Sequence, residues 1–278
     1  MAGDRRKSQY GRRPDWQMHR HRIESVLADA LPDRDGYSGS RWHEWERRIQ
    51  QGHAAEEKRI ERLCEERRKQ PAYDPQYDPD EWAGEDYLET CRLTNSMYAA
   101  LVVSIWSEME HFLKHIVIMC YQALEKRRKA LERALEFCED SLAHRQPNVT
   151  LEGCLKALKE LQSEVPYAFG DIEKALKSEL GIRVGHCREY ATVNGIRILN
   201  NSFKHARGRY DPDKGKPHEQ IDKGLLKKWP ILEGRKDIDY SKLPVRDLVV
   251  ACNAFCRDLL DKVEAALNQR TTGRGGNE

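Results

Sequence analysis

From Glu85 to Gln146 the chain carries neither a glycine nor a proline. These are the two residues that most readily end a helix, one by its backbone freedom and the other by its missing N–H. Inside this run Tyr98, Leu101, Val102, Ile105, Met109, Phe112, Leu113, Ile116 and Cys120 recur at i, i+3, i+4 and i+7. That spacing predicts one very long helix, or two nearly continuous ones, with a broad apolar face. Val103, Trp106, Val117 and Ile118 widen the face almost to the full circumference. A helix so apolar has to be covered on more than one side, in a bundle core or against a second subunit. Past Leu124 the pattern turns basic and solvated, through Lys126, Arg127, Arg128 and Lys129.

Shorter helices are predicted on either side. Trp16 to Leu31 reads as a first helix ended by Pro32, and Ser40 stands as an N-cap before Trp42, Trp45 and Ile49 at helical spacing. The same helix becomes almost wholly charged through Glu56, Glu57, Lys58, Arg59, Glu61 and Arg62, as expected of a solvated helix laced with side-chain pairs. Leu151–Ser163, Asp171–Leu180, Val184–Arg207 and Pro244–Gln269 complete the set; in the last, Val245, Leu248, Val249, Cys252, Phe255, Leu259, Leu260 and Val263 form an apolar stripe. Residues 208–243, rich in glycine, proline and lysine, read mostly as loop. Charged residues at 34% against 39% hydrophobic suit such helices better than β-sandwich strands. The expected class is therefore all-α, an antiparallel helical bundle.

Residues 71–89 hold Asp74, Asp78, Asp80, Glu81, Glu85, Asp86 and Glu89 without one lysine or arginine, and read as a linker or strap. The expected organisation is a charged, mostly helical N-terminal extension and linker over 1–84, a bundle domain over 85–270 and a disordered tail over 271–278.

Charge and cysteines narrow the function classes. Basic residues number 48 and acidic ones 46, so affinity for a polyanion has to come from a local patch. No apolar run reaches the ~18 residues of a membrane helix, and the basic start (Arg5, Arg6, Lys7, Arg12, Arg13) lacks the apolar stretch of a signal peptide. The eight cysteines are scattered without a CxxC pair, as free thiols in a reducing cytoplasm would be. Cys252 and Cys256 lie one turn apart with no histidine beside them. His111 and His115 are also one turn apart, a geometry used for zinc, but Glu110 precedes the first histidine where the metalloprotease motif has its glutamate after it. The reading for that pair is a polar interface face; neither a metal nor a cofactor is expected.

The chemistry-bearing stretch is 190–205. On a helix, Ile196, Leu199 and Phe203 share an apolar side, while Tyr190, Asn194, Arg197, Asn201, Lys204 and His205 fall within about 100° of one another opposite them. The basic loop residues Arg207, Arg209, Lys214 and Lys216 follow. Such a face suits an anion or phosphate, although a polar face is also what any amphipathic helix presents to water.

The run Ile196-Arg-Ile-Leu-Asn-Asn-Ser-Phe-Lys-His205, preceded by a long apolar helix containing Ser107-Glu-Met-Glu110-His-Phe-Leu, resembles bacterial members of the HEPN superfamily. The likeness spans roughly Tyr87 to Leu267. It implies an all-α bundle that pairs as a homodimer, and many members are metal-independent ribonucleases of toxin–antitoxin and phage-defence systems. It implies His205 as general acid/base, Lys204 and Arg197 as charge stabilisers, Asn201 as a phosphate positioner and Glu110 as the acidic partner on the first bundle helix. Arg207, Arg209, Tyr190 and Asn194 would hold RNA, and an antitoxin or defence-system protein would be a partner. Tyr210 lies where some related toxins carry a modified tyrosine. Seven residues separate Arg197 from His205, a longer spacing than the family's motif, with Asn200 and Asn201 in the register where its arginine is expected. Members without the Arg–His pair act as dimerisation or binding modules that recruit a partner protein or nucleotide, and that is the alternative expectation.

Overall fold

The computed structural model describes residues 16–69, 79–124, 166, 168–206, 229, 231 and 238–272. Among them the fold is all-α, a helical bundle with no strand. Six α-helices are described: α1 (Trp16–Ala30), α2 (Arg41–Arg68), α3 (Pro79–Ala123), α4 (Phe169–Leu180), α5 (Tyr190–Ala206) and α6 (Val245–Thr272). No described helix is long and apolar enough to cross a membrane. The helix expected over Leu151–Ser163 lies outside the described residues.

Local chemistry explains the boundaries. Ser40 caps α2 as expected, its hydroxyl accepting from the His43 N–H at 3.3 Å, a contact worth ~1 kcal/mol. α3 starts at Pro79, inside the acidic stretch read as a strap, because proline at a first helical position gives up no intrahelical bond. α4 stops at Gly181, whose φ of 72° needs no side chain in the way; the N–H groups of Gly181 and Ile182 return to the carbonyls of Lys177 and Leu176. The helix expected from Val184 begins only at Tyr190. Between them the Arg188 N–H is held by Asp258 Oδ2 at 2.9 Å and Glu189 takes a left-handed φ of 59°, which breaks the helical path before α5.

The chain folds as two compact units that interleave along the sequence. The first comprises 1–30, 108–190 and 254–278; the second comprises 31–107 and 191–253. In the first, the buried side chains include Leu27 on α1, Met109, Leu113 and Ile116 on α3, Ile172 and Leu176 on α4, and Phe255, Leu259 and Val263 on α6. Arg20 of α1 donates to Glu24 (2.9 Å), to Asp261 (2.8 Å) and to Glu264, and so ties α1 to α6.

In the second unit α2 and α3 run antiparallel. Gln50 meets Tyr98 (3.4 Å), His53 meets Thr94 (3.0 Å) and Arg59 meets Asp86 (3.6 Å), the numbers rising on one helix as they fall on the other. Trp42 and Ile49 are buried, and Trp45 stacks on Trp42 with ring centres 6.4 Å apart. Leu101, Val102, Ile105, Ile196, Leu199, Leu248 and Cys252 complete much of this core. Each such side chain contributes ~1.5–3 kcal/mol on burial. The segment read as loop before α6 includes a one-turn 3₁₀ helix, Tyr240–Lys242. Asn95 fixes its start, its Nδ2 donating to the Ile238 carbonyl (2.9 Å) and its Oδ1 accepting from the Tyr240 N–H (2.6 Å). The described cysteines are free, and Cys64, Cys120, Cys187, Cys252 and Cys256 are buried.

Candidate functional site

Most of the described side chains of helix α5 that lie off its polar face are buried. Thr192, Val193, Ile196, Ile198, Leu199, Asn200 and Ser202 are all buried. Tyr190, Asn194, Arg197 and Asn201 are half-exposed, Lys204 is exposed, and these five share one stripe at i, i+4, i+7, i+11 and i+14. Ile196 and Leu199 turn into the core as the apolar periodicity requires. Phe203, expected among them, is half-exposed and meets the Tyr240 ring edge-on at 6.0 Å.

Within the second unit the structure pairs the polar residues in steps. Arg197 Nε donates to Asn194 Oδ1 at 2.9 Å. A guanidinium only donates, so this contact fixes which end of the Asn194 amide is the oxygen and turns its NH₂ the other way. Asn200 Nδ2 donates to Asn201 Oδ1 at 3.4 Å, a long bond, which likewise leaves the Asn201 NH₂ as the donor on the stripe. Lys204 adds an ammonium in the last turn of α5. Residues 190–206 contain no aspartate or glutamate, so nothing on the helix itself neutralises Arg197 and Lys204. Part of this charge also complements the helix C-terminus, where cations are favoured by ~0.3–1 kcal/mol.

Of the other expected residues, two belong to the first unit and the rest have side chains outside the described residues. Tyr190 opens α5 but belongs to the first unit, where its ring stacks on Phe169 at 6.4 Å. Glu110 is half-buried on α3, also in the first unit. His205 lies in the last turn of α5, with its side chain outside the described residues, as are Arg207, Arg209 and Tyr210. Among the described residues no group of three or more His, Cys, Asp or Glu side chains is arranged to hold a metal ion.

Two polar residues next to the stripe, Asn200 and Tyr240, were not among the expected site residues. Asn200 is only 1% exposed, and its Oδ1 has no hydrogen-bond partner. A buried orphan acceptor costs ~1–3 kcal/mol, so this position carries a polar group against the local packing interest. Tyr240 is buried and donates through its hydroxyl to the Leu199 carbonyl at 3.1 Å, which anchors the wall of α5 directly behind the stripe. Burial pushes the Tyr240 hydroxyl well above the ordinary tyrosine range. The Asn-Asn dipeptide at 200–201 is a visible signal for the first; for Tyr240, forty residues away, the sequence holds none.

Compared with family models, with curated proteins and with solved structures, the chain matches none.

Proposed function

We propose that the chain is a HEPN-like RNA-directed effector, a metal-independent endoribonuclease of a bacterial toxin–antitoxin or phage-defence system. One observation carries the reading: four polar side chains of α5, Asn194, Arg197, Asn201 and Lys204, reach the surface along one acid-free stripe and offer hydrogen-bond donors. Donors without acceptors suit the oxygens of a phosphodiester.

The chemistry follows from the residue types. The RNA 2′-OH attacks the adjacent phosphorus, and the 5′-oxygen of the next nucleotide leaves. His205, in the last turn of α5, moves the proton; an imidazole is suited to this near neutral pH. Arg197 and Lys204 stabilise the charge that grows on the phosphorane oxygens, and Asn201 orients the phosphate through its amide N–H. The products are a 2′,3′-cyclic phosphate and a 5′-hydroxyl. Two copies would bring their stripes together in a homodimer of about twice 32.4 kDa, which light scattering reads directly. An antitoxin or defence-system protein would hold the activity in check in the cytoplasm.

A second reading rests on one contact. Because Arg197 is already engaged by Asn194, and seven residues separate it from His205, the same stripe also suits a non-catalytic module that binds a partner protein or nucleotide. Incubating the purified chain with an RNA pool in excess chelator separates the two. The ribonuclease reading expects new fragments ending in cyclic phosphate; intact RNA leaves only the binding module.

A further inference from the structure

Between Tyr98 and Tyr121, α3 is so thoroughly covered that only Ser107, His111 and His115 are exposed. The two histidines therefore stand on the one strip of this segment that faces solvent, one helical turn apart, and both belong to the first unit. Their rings are in contact, with centres 4.3 Å apart and planes at 64°. Two imidazoles that share one ion at ~2.0–2.1 Å per nitrogen have ring centres about 4.5–5 Å apart. The spacing of the two rings is thus close to that of a chelating pair.

The protonation state points the same way. His115 Nδ1 lies 3.0 Å from the His111 carbonyl oxygen. A carbonyl only accepts, so Nδ1 carries the hydrogen and the lone pair of the neutral ring sits on Nε2. A backbone carbonyl fixing the far nitrogen is the usual support of a metal-ligating histidine.

We propose that His111 and His115 form a two-imidazole clamp for a divalent late transition-metal ion, with water in the remaining positions. Imidazole nitrogen suits Cu²⁺, Ni²⁺ and Zn²⁺ and does not suit Mg²⁺ or Ca²⁺. With only two protein ligands the ion exchanges readily, and acidification releases it because protonated imidazole has no lone pair to give. The clamp is independent of the ribonuclease reading and takes no part in its chemistry.

The full chain is titrated with Zn²⁺ by calorimetry and, separately, loaded with Cu²⁺ for electron paramagnetic resonance. One equivalent is expected to depend on the pair. His111→Ala and His115→Ala each bind Zn²⁺ at least ~10-fold more weakly, the lower end of what losing even an outer-shell partner costs, and the double variant loses that equivalent. His186→Ala, altered at an exposed histidine away from the pair, keeps it. The Cu²⁺ spectrum shows two nitrogen ligands in the wild type and loses that signature in the double variant. Both positions are exposed, so the metal-free variants melt like the wild type; should one fail to fold, His111→Gln and His115→Gln replace the alanines. Unchanged stoichiometry and affinity in the double variant, or a single nitrogen in the wild-type spectrum, overturns the proposal.

Discussion

Arg197 Nε donates to Asn194 Oδ1 at 2.9 Å, one turn back along α5. The bond lays the guanidinium along the helix and leaves the opposite end of the Asn194 amide as a donor, so two neighbouring side chains present N–H groups from one strip. If this strip grips phosphate, Asn194→Ala lowers RNA cleavage by about tenfold at most, the worth of one hydrogen bond of ~0.5–1.5 kcal/mol. Arg197→Ala costs ~10²–10³ in rate, as loss of a charge-stabilising donor does. Single-turnover rates on one RNA check the order; equal losses from both variants would contradict the division of labour.

Tyr240 ties the 3₁₀ turn to α5 through the Leu199 carbonyl. Tyr240→Phe leaves that buried carbonyl without its donor and destabilises the fold by ~1–3 kcal/mol at neutral pH. In alkali the side chain's contribution is lost. Its hydroxyl is held protonated in the folded chain, whereas an unfolded tyrosine ionises near pH ~10. Cys120 behaves alike, burial pushing its thiol up to about 12 against ~8.5 unfolded. Groups with raised folded pKa values contribute stability that is complete below the unfolded value and is lost as pH rises through the folded one. The urea midpoint should therefore fall steadily above pH ~8.5–9, and less steeply for Tyr240→Phe above pH ~10. A wild-type midpoint flat to pH 11 would contradict the burial of these groups.

A chain cut back to begin near Gly84 loses Leu31, Tyr37, Trp42, Ile49, Ile60 and Cys64, all buried and all grouped in the second unit. At ~1.5–3 kcal/mol for each large apolar side chain, the loss matches the whole ~5–15 kcal/mol that stabilises a typical domain. The truncated chain is expected to keep helical circular dichroism but to melt without a cooperative transition. A sharp melt would instead make 1–84 a detachable appendage.

What the sequence disclosed and what it hid divide along one physical line. Helical periodicity is a local property, so the apolar face of α3, the stripe of α6 and the polar stripe of α5 were all legible, as was the Ser40 cap, which depends on a residue three positions away. Contacts between distant segments were not. Nothing near Asn95 announces that its amide will clip a turn 145 residues later, and the start of α5 was missed because Asp258 supplies the constraint from another helix. The same holds for Asn200, which periodicity places beside the open stripe and the fold buries almost completely.

His205→Ala tests the central claim most directly, with melting and RNA cleavage measured on one preparation in chelator. The ribonuclease reading predicts a melting temperature close to that of the wild type, because a histidine in the last turn of a helix contributes within ~0.5 kcal/mol when it does not pack. It predicts a rate lower by ~10²–10⁴, the usual contribution of one general acid/base group. A variant that melts early and cleaves in proportion to its folded fraction would show that His205 holds the structure and does not perform the reaction.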